Sequence, residues 1–289
     1  MARARTVGVV SPGAMGSAVG HALREAGVRV VATLDRRSER TAGLARRAEI
    51  ECLADLAAVV READVILLIA PPAAAETIAA DVGRAAKQAG AHPLFVELNA
   101  IAPASVRRIA AELDLDVVDG AISGPPPWQS GTTRIYLAGP RAGDVATLPM
   151  AGVDVIVVGD ELGAASAVKM STASVYKGTT AVLAQALLTA QANGVLEHVL
   201  SDLRESLPEL LDDVERSIAR AATKAERYVG EMLEIAATQE AAGLPAGLFG
   251  GIAEVYAALS LRPLARQAPE DVPRDLSLED VLSQLQPLE

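Results

Sequence analysis

Apolar and polar positions follow two periods along this chain, and the change from one to the other divides it. Over the first 160 residues, short β-branched or aliphatic runs alternate with amphipathic stretches, the pattern of strands and helices in turn. Strands are predicted at 7–10, 28–33, 50–53, 65–69, 94–98, 116–119, 134–138 and 153–158. A helix closed by Gly27 follows the first strand, and further helices are predicted at 38–47, 55–62, 73–89 and 104–113. Apolar strands that each feed a helix build a parallel sheet covered on both faces, an α/β fold. From Gly159 onward the strand pattern ends. Long Ala/Leu-rich stretches predict helices at 162–193, 195–205, 209–242 and 246–262, and the tail 263–289 holds at most one short helix at 276–285. The expected organisation is a sheet domain over 1–160 and an all-helical domain over 161–289, joined by a long interdomain helix.

Composition narrows the function classes. The 289 residues are 51% hydrophobic but only 2% aromatic, so the core is built from Ala, Val, Leu and Ile. A net charge of −11 leaves no basic stripe to neutralise phosphates, which argues against nucleic acid as a partner. The single cysteine, Cys52, excludes an internal disulfide and a thiolate metal site, and three scattered histidines form no metal cluster. The longest apolar run, 65–72, is too short to span a bilayer, and residues 1–5 lead directly into the first strand, so a cytoplasmic protein without a signal peptide is expected. Helix 162–193 carries few charges and is expected to bury a face against a second copy, giving a homodimer.

The chemistry concentrates at strand ends. Between the first strand and its helix lies Ser11-Pro12-Gly13-Ala14-Met15-Gly16. Gly13 permits close approach of a ligand, Gly16 lets helix and strand pack tightly, and the helix N-terminus favours a pyrophosphate. Ser11 stands where the dinucleotide fingerprint has its first glycine. After the second strand, Asp35 precedes Arg36, Arg37 and Ser38; cations and a hydroxyl suit the 2′-phosphate of NADP rather than the bare ribose of NAD. The competing reading of that segment is a solvated turn with Ser38 capping a helix. Pro71, Pro72 and Asn99 come after later strands and border the same crevice, although Asn99 serves equally well as a cap before Pro103. Ser123 and Gly124 form a turn whose hydroxyl and amide suit a carboxylate, and the three prolines at 125–127 stiffen the chain just beyond it. The chain has 22 Arg and four Lys, two of which, Lys169 and Lys177, lie in the nearly uncharged helix 162–193. Each is either a buried amine available for proton transfer or a side chain that snorkels to solvent.

Taken together, these segments resemble the β-hydroxyacid dehydrogenase superfamily, which includes 6-phosphogluconate and 3-hydroxyisobutyrate dehydrogenases and is related to the imine reductases. Residues 13–16 are similar to its G-x-G-x-M-G, residues 119–124 to its D-A-P-V-S-G-G, and residues 163–170 to its G-x-x-x-x-x-K-L. The likeness covers about residues 5–180, while 227–236 resembles a branch with an uncharacterised 6-phosphogluconate-dehydrogenase-like C-terminal domain. It implies a Rossmann-type NADP-binding domain, Lys169 as general acid/base, and Ser123 and Gly124 as the grip on the carboxylate of a small hydroxy or oxo acid. The family places Asn three or four residues beyond its lysine; here Thr172 and Ala173 stand there, and Lys177 is the candidate for the missing contact. Two other functions compete: imine reduction on the same fold, whose enzymes generally lack this lysine, and non-catalytic NADP binding.

Overall fold

The computed structural model describes residues 6–286 except Arg36, Ser130, Glu270 and Arg274. The sheet part of the chain runs β1 (Thr6–Val10), α1 (Ala14–Glu25), β2 (Arg29–Thr33), α2 (Glu39–Arg47), β3 (Glu51–Leu53), α3 (Leu56–Glu62), β4 (Val65–Leu68), α4 (Ala75–Ala89), β5 (Leu94–Glu97), α5 (Pro103–Glu112), β6 (Val117–Ser123), β7 (Thr133–Ala138), α6 (Ala142–Ala146) and β8 (Val153–Gly159). These strands form one sheet in the order β3-β2-β1-β4-β5-β6-β7-β8. Neighbours are parallel except β6 and β7, which pair antiparallel with Ser123 opposite Arg134. The order reverses between β1 and β4, the place where ligands enter doubly wound sheets.

Alternation along each strand sends side chains to two cores. Val7, Val9, Val65, Leu67 and Val96 pack on one face with Val19 and Leu23 of α1 and Val145 of α6. Val10, Ile66, Leu68 and Phe95 pack on the other with Val59 of α3, Val82 of α4 and Ile109 of α5. Every strand from β1 to β5 except short β3 is therefore clad on both sides, and their near-continuous apolar character follows. Strand β6 extends four residues beyond the predicted 116–119, because its polar Asp119-Gly120 step sits inside the ladder to β7.

The helical part comprises α7 (Ala164–Ala192), α8 (Leu196–Ser206), α9 (Val214–Ala222), α10 (Ala225–Ala241), α11 (Gly247–Ser260) and α12 (Leu278–Ser283). Two compact units divide the chain at Met170 and Ser171, inside α7. The single helix expected at 209–242 is two helices instead. Asp213 adopts φ +53°, a left-handed conformation that an α-helix cannot contain, and starts α9. At the second break Lys224 leaves the helical region, with φ −118° and ψ 6°, and caps the start of α10. Helix α12 opens on a capping box between Ser277 and Asp280.

Within the helical unit a buried polar cluster joins α7, α10 and α11. The Lys177 ammonium pairs with Glu231, which also accepts from Arg227 Nε at 3.1 Å. Lys177 lies 4.3 Å above the Tyr228 ring, Tyr228 meets Tyr256 edge-on at 5.2 Å, and the Tyr256 hydroxyl donates to the Lys177 carbonyl at 2.7 Å. Only 5% of the Glu231 side chain and 15% of Lys177 reach solvent. Removing one member of such a pair leaves the other buried without its counter-charge. Glu231→Ala is expected to lower the unfolding free energy by about 3 kcal/mol. Lys177→Met/Glu231→Leu should recover most of that loss; chemical denaturation of the three proteins reads the difference.

Candidate functional site

The turn after β1 is built by backbone constraints. Ser11 has φ +69°, the conformation the fingerprint's first glycine ordinarily supplies, at a cost of about 1–2 kcal/mol for a residue with a side chain. Gly13 N–H donates to the Ser11 carbonyl at 2.7 Å, and the Ser17 hydroxyl donates to the buried Pro12 carbonyl at 2.6 Å. A Cβ on Gly16 would come within 2.6 Å of the Ser11 carbonyl oxygen, so only glycine permits this approach of helix to turn. A Cβ on Gly13 would meet nothing within 4 Å. Ala14 is exposed, Met15 packs against the core, and the first turn of α1 carries no acidic residue and no capping side chain. The first N–H groups of the helix lack intrahelical partners and point outward with its positive end.

Other predicted residues lie along the same carboxyl edge of the sheet. Beyond β2, the Asp35 N–H donates to Thr33 Oγ1 at 3.2 Å, Arg37 is exposed, and Ser38 caps α2 by accepting from the Thr41 N–H at 3.2 Å. The alternative capping role of Ser38 is thus real, and its hydroxyl also lies within hydrogen-bond distance of the Thr41 hydroxyl, at 3.1 Å. Arg36 lies outside the described residues. Beyond β4, exposed Pro71 and half-buried Pro72 lead into a single 3₁₀ turn. Beyond β5, Asn99 is 4% exposed; its Oδ1 accepts from the Ala70 N–H at 2.5 Å and its N–H donates to Glu97 Oε2 at 2.9 Å. Asn99 ties the ends of β4 and β5 together and is not a helix cap, since α5 is capped by Ala102. Its Nδ2 has no hydrogen-bond partner among the described residues.

Strand β6 links the Ser123–Gly124 turn to α7. Ser123 ends the strand, and Gly124 has φ +112°, where a Cβ would stand 2.4 Å from the Thr132 carbonyl oxygen. Four residues earlier, fully buried Asp119 accepts from the N–H groups of Gly163 and Ser166 at 2.9 and 3.1 Å and from the Ser166 hydroxyl at 2.6 Å. Burial pushes this carboxyl above its ordinary value, and the hydrogen bonds from α7 hold part of that rise back. Asp119 therefore fixes the first turn of α7, and half-buried Lys169 stands on the next. Lys177, eight residues on, is engaged by Glu231 in the helical unit. The positioning roles of Asp119 and Glu97 are not evident from residue type alone, though a lone carboxylate inside an apolar strand is the available signal. Two grooves of about 260 and 290 Å³ occur elsewhere, and neither is lined by a residue named in this section.

Comparison with known proteins places this geometry. Residues 6–96 match a family model described as NADP oxidoreductase, coenzyme F420-dependent, and residues 190–259 match a domain of unknown function (DUF1932). A protein of Methanothermus fervidus, known as an uncharacterised 28.5 kDa protein, is 25% identical over 171 residues, 59% of this chain and 65% of its own length. The match thus spans just under two thirds of that relative. Among solved structures, a conserved protein of unknown function with structural similarity to 3-hydroxyacid dehydrogenases is 26% identical, with TM-score 0.66 over 88% of this chain and 96% of its own. The 3-hydroxyisobutyrate dehydrogenase of Mycobacterium tuberculosis is 19% identical, with TM-score 0.68 over 98% and 99%. An imine reductase of Myxococcus stipitatus in complex with NADP+ is 20% identical, with TM-score 0.56 over 89% and 93%. The fold is the one that hydroxyacid dehydrogenases and imine reductases share: a Rossmann-type α/β sheet followed by helices. No helix among the described residues is long and apolar enough to cross a membrane.

Asp119 offers a direct test of how α7 is held. Asp119→Ala orphans two buried N–H groups and should cost at least about 2 kcal/mol of stability. Asp119→Asn keeps an oxygen for both and should cost less. Because the folded carboxyl titrates above its unfolded value, its contribution is full below the unfolded pKa and declines as pH rises through the folded one. That slope should be absent in Asp119→Asn, as pH-dependent denaturation curves would reveal.

Proposed function

We propose that the chain is an NADP-dependent oxidoreductase acting between a small hydroxy acid and its oxo acid, with Lys169 as the general acid/base. The observation that carries this reading is the turn at residues 11–16, set where the strand order reverses, with Ser11 in a glycine conformation and Gly16 pressed on its carbonyl. The residues suit a dinucleotide. Space is open at Gly13, α1 opens without an acidic residue, and the buried Asn99 Nδ2 retains an unused donor. The match of residues 6–96 to NADP oxidoreductases and the fold shared with an NADP+-bound imine reductase support the same cofactor class.

In this reading the N–H groups opening α1 hold the pyrophosphate, and Arg36, Arg37 and the Ser38 hydroxyl hold the 2′-phosphate of NADP(H) in preference to NAD(H). Pro71, Pro72 and Asn99 flank the nicotinamide end. When bound, the nicotinamide supplies or accepts the hydride. The Ser123 hydroxyl and Gly124 N–H grip the substrate carboxylate. The Lys169 ammonium gives its proton to the carbonyl oxygen as charge develops there, and in the oxidative direction the neutral amine removes the hydroxyl proton. An ammonium at this position suits an oxygen substrate better than an imine, which becomes a cation when protonated. Lys177, the candidate for the contact that Thr172 and Ala173 do not supply, has its charge balanced by Glu231.

Titration with NADPH and NADH, followed by quenching of the single Trp128, measures the cofactor reading. Saturable quenching at micromolar NADPH and much weaker quenching by NADH are expected. Preference for NADH would transfer the choice to Asp35. Lys169→Ala should keep that binding while turnover of a hydroxy acid found by panel screening falls at least about 100-fold; unchanged turnover would remove Lys169 from the mechanism.

A further inference from the structure

The segment between Gly124 and Thr133 is more than a connection. Its beginning is fixed by the left-handed Gly124, and its end by the Thr133 hydroxyl, which donates to the Pro125 carbonyl at 2.6 Å. Between them the Trp128 N–H donates to the Pro126 carbonyl at 2.8 Å, a tight turn within a run of three prolines. The Trp128 ring leaves this segment to meet α1 and α2. The His21 ring of α1 stands 5.4 Å from it, tilted by 37°, and the Arg47 guanidinium, from the last residue of α2, lies 4.2 Å over its face. Trp128 and Met15, the latter from the proposed phosphate turn, both pack against the same core cluster. One indole thus touches both helices whose opposite ends carry the proposed cofactor contacts, residues 13–16 on α1 and Arg37 and Ser38 on α2.

We infer that Trp128 is a positioning residue that couples dinucleotide binding to the order of the Ser123–Gly124 substrate turn. The inference rests on the cofactor reading above. A dinucleotide that spans the N-terminal ends of α1 and α2 fixes the spacing of the two helices. The Arg47–Trp128–His21 stack forms only at one such spacing, because a cation over an indole and a second ring beside it demand that all three groups be held at once. Two events that select the same helix spacing favour each other, and the coupling is reciprocal. Cofactor binding therefore tightens the 124–132 segment, and an intact stack tightens cofactor binding. The proline run transmits this to Ser123 and Gly124, since a stiff segment held at its apex cannot let its base wander.

The test uses the full chain, NADPH as the probe and isothermal titration as the readout, because the Trp128 variants lose their reporter. Arg47→Ala and Trp128→Ala should each weaken NADPH binding about fivefold, although neither side chain belongs to the cofactor site. The double variant should lose no more than Trp128→Ala alone, and Trp128→Phe should retain most of the affinity. Hydrogen exchange supplies the reciprocal measurement: NADPH should slow exchange across 124–132 in the wild type and not in Arg47→Ala. If Trp128→Ala does not fold, the exposed Arg47 carries the comparison unaided. Equal affinities in wild type and single variants, with no change in exchange, overturn the coupling and leave the cofactor reading standing. Failure of the wild type to bind either NADPH or NADH removes both.

Discussion

Everything at the carboxyl edge of the sheet depends on one close approach, that of Gly16 to the carbonyl of Ser11. At that distance no side chain fits, and the helix behind it must start where it does. The turn can only close if Ser11 takes a left-handed backbone, which costs energy that the surrounding bonds offset: Gly13 to Ser11, and Ser17 to Pro12. The positive end of α1 is thereby fixed over the point where the strand order reverses. A helix end facing open space, without an acidic neighbour, is an electrostatic statement about what belongs there.

The second organising contact is of another kind. Asp119 is a carboxylate taken out of water and compensated by three hydrogen bonds from the start of α7. Burial and bonding oppose one another in its titration, with burial the larger. The arrangement joins the strand that ends in Ser123 to the helix that bears Lys169, so two candidate groups from distant sequence positions share one anchor. In the helical unit, the Lys177–Glu231 pair does similar work among α7, α10 and α11, with Tyr256 reading the Lys177 backbone rather than its amine.

Much of this was legible in the residues. Apolar runs and their spacing located all eight strands, most plainly the continuous runs of β1, β4 and β5 that are buried on both faces, and the position of Ser11 identified it as the surrogate of a glycine. The failures share a cause. The break at Asp213 depends on a local backbone choice inside a stretch whose composition favours helix throughout. The length of β6 depends on a partner strand ten residues further along, which shelters Asp119 and Gly120. The partner of Lys177 lies 54 positions away, and those of Trp128 lie 107 and 81 positions away on α1 and α2. Ser38 was legible in two ways, and the structure shows it as the cap of α2 with the Thr41 hydroxyl beside it.

The reversal of β7 has a consequence for how such a protein can change. Parallel neighbours require a crossover of a dozen or more residues, so altering one of those connections disturbs a packed helix. The antiparallel pair β6–β7 needs only a loop, and that loop lies at the edge where β1, β4, β5 and β6 end. This connection can therefore change without a crossover helix being rebuilt, so long as the packing of Trp128 on α1 and α2 is kept. In the function proposed above, the sheet separates a constant kind of task, holding a nucleotide, from a variable one, choosing what is presented to it. Substrate range in proteins of this architecture has an undemanding place in which to drift.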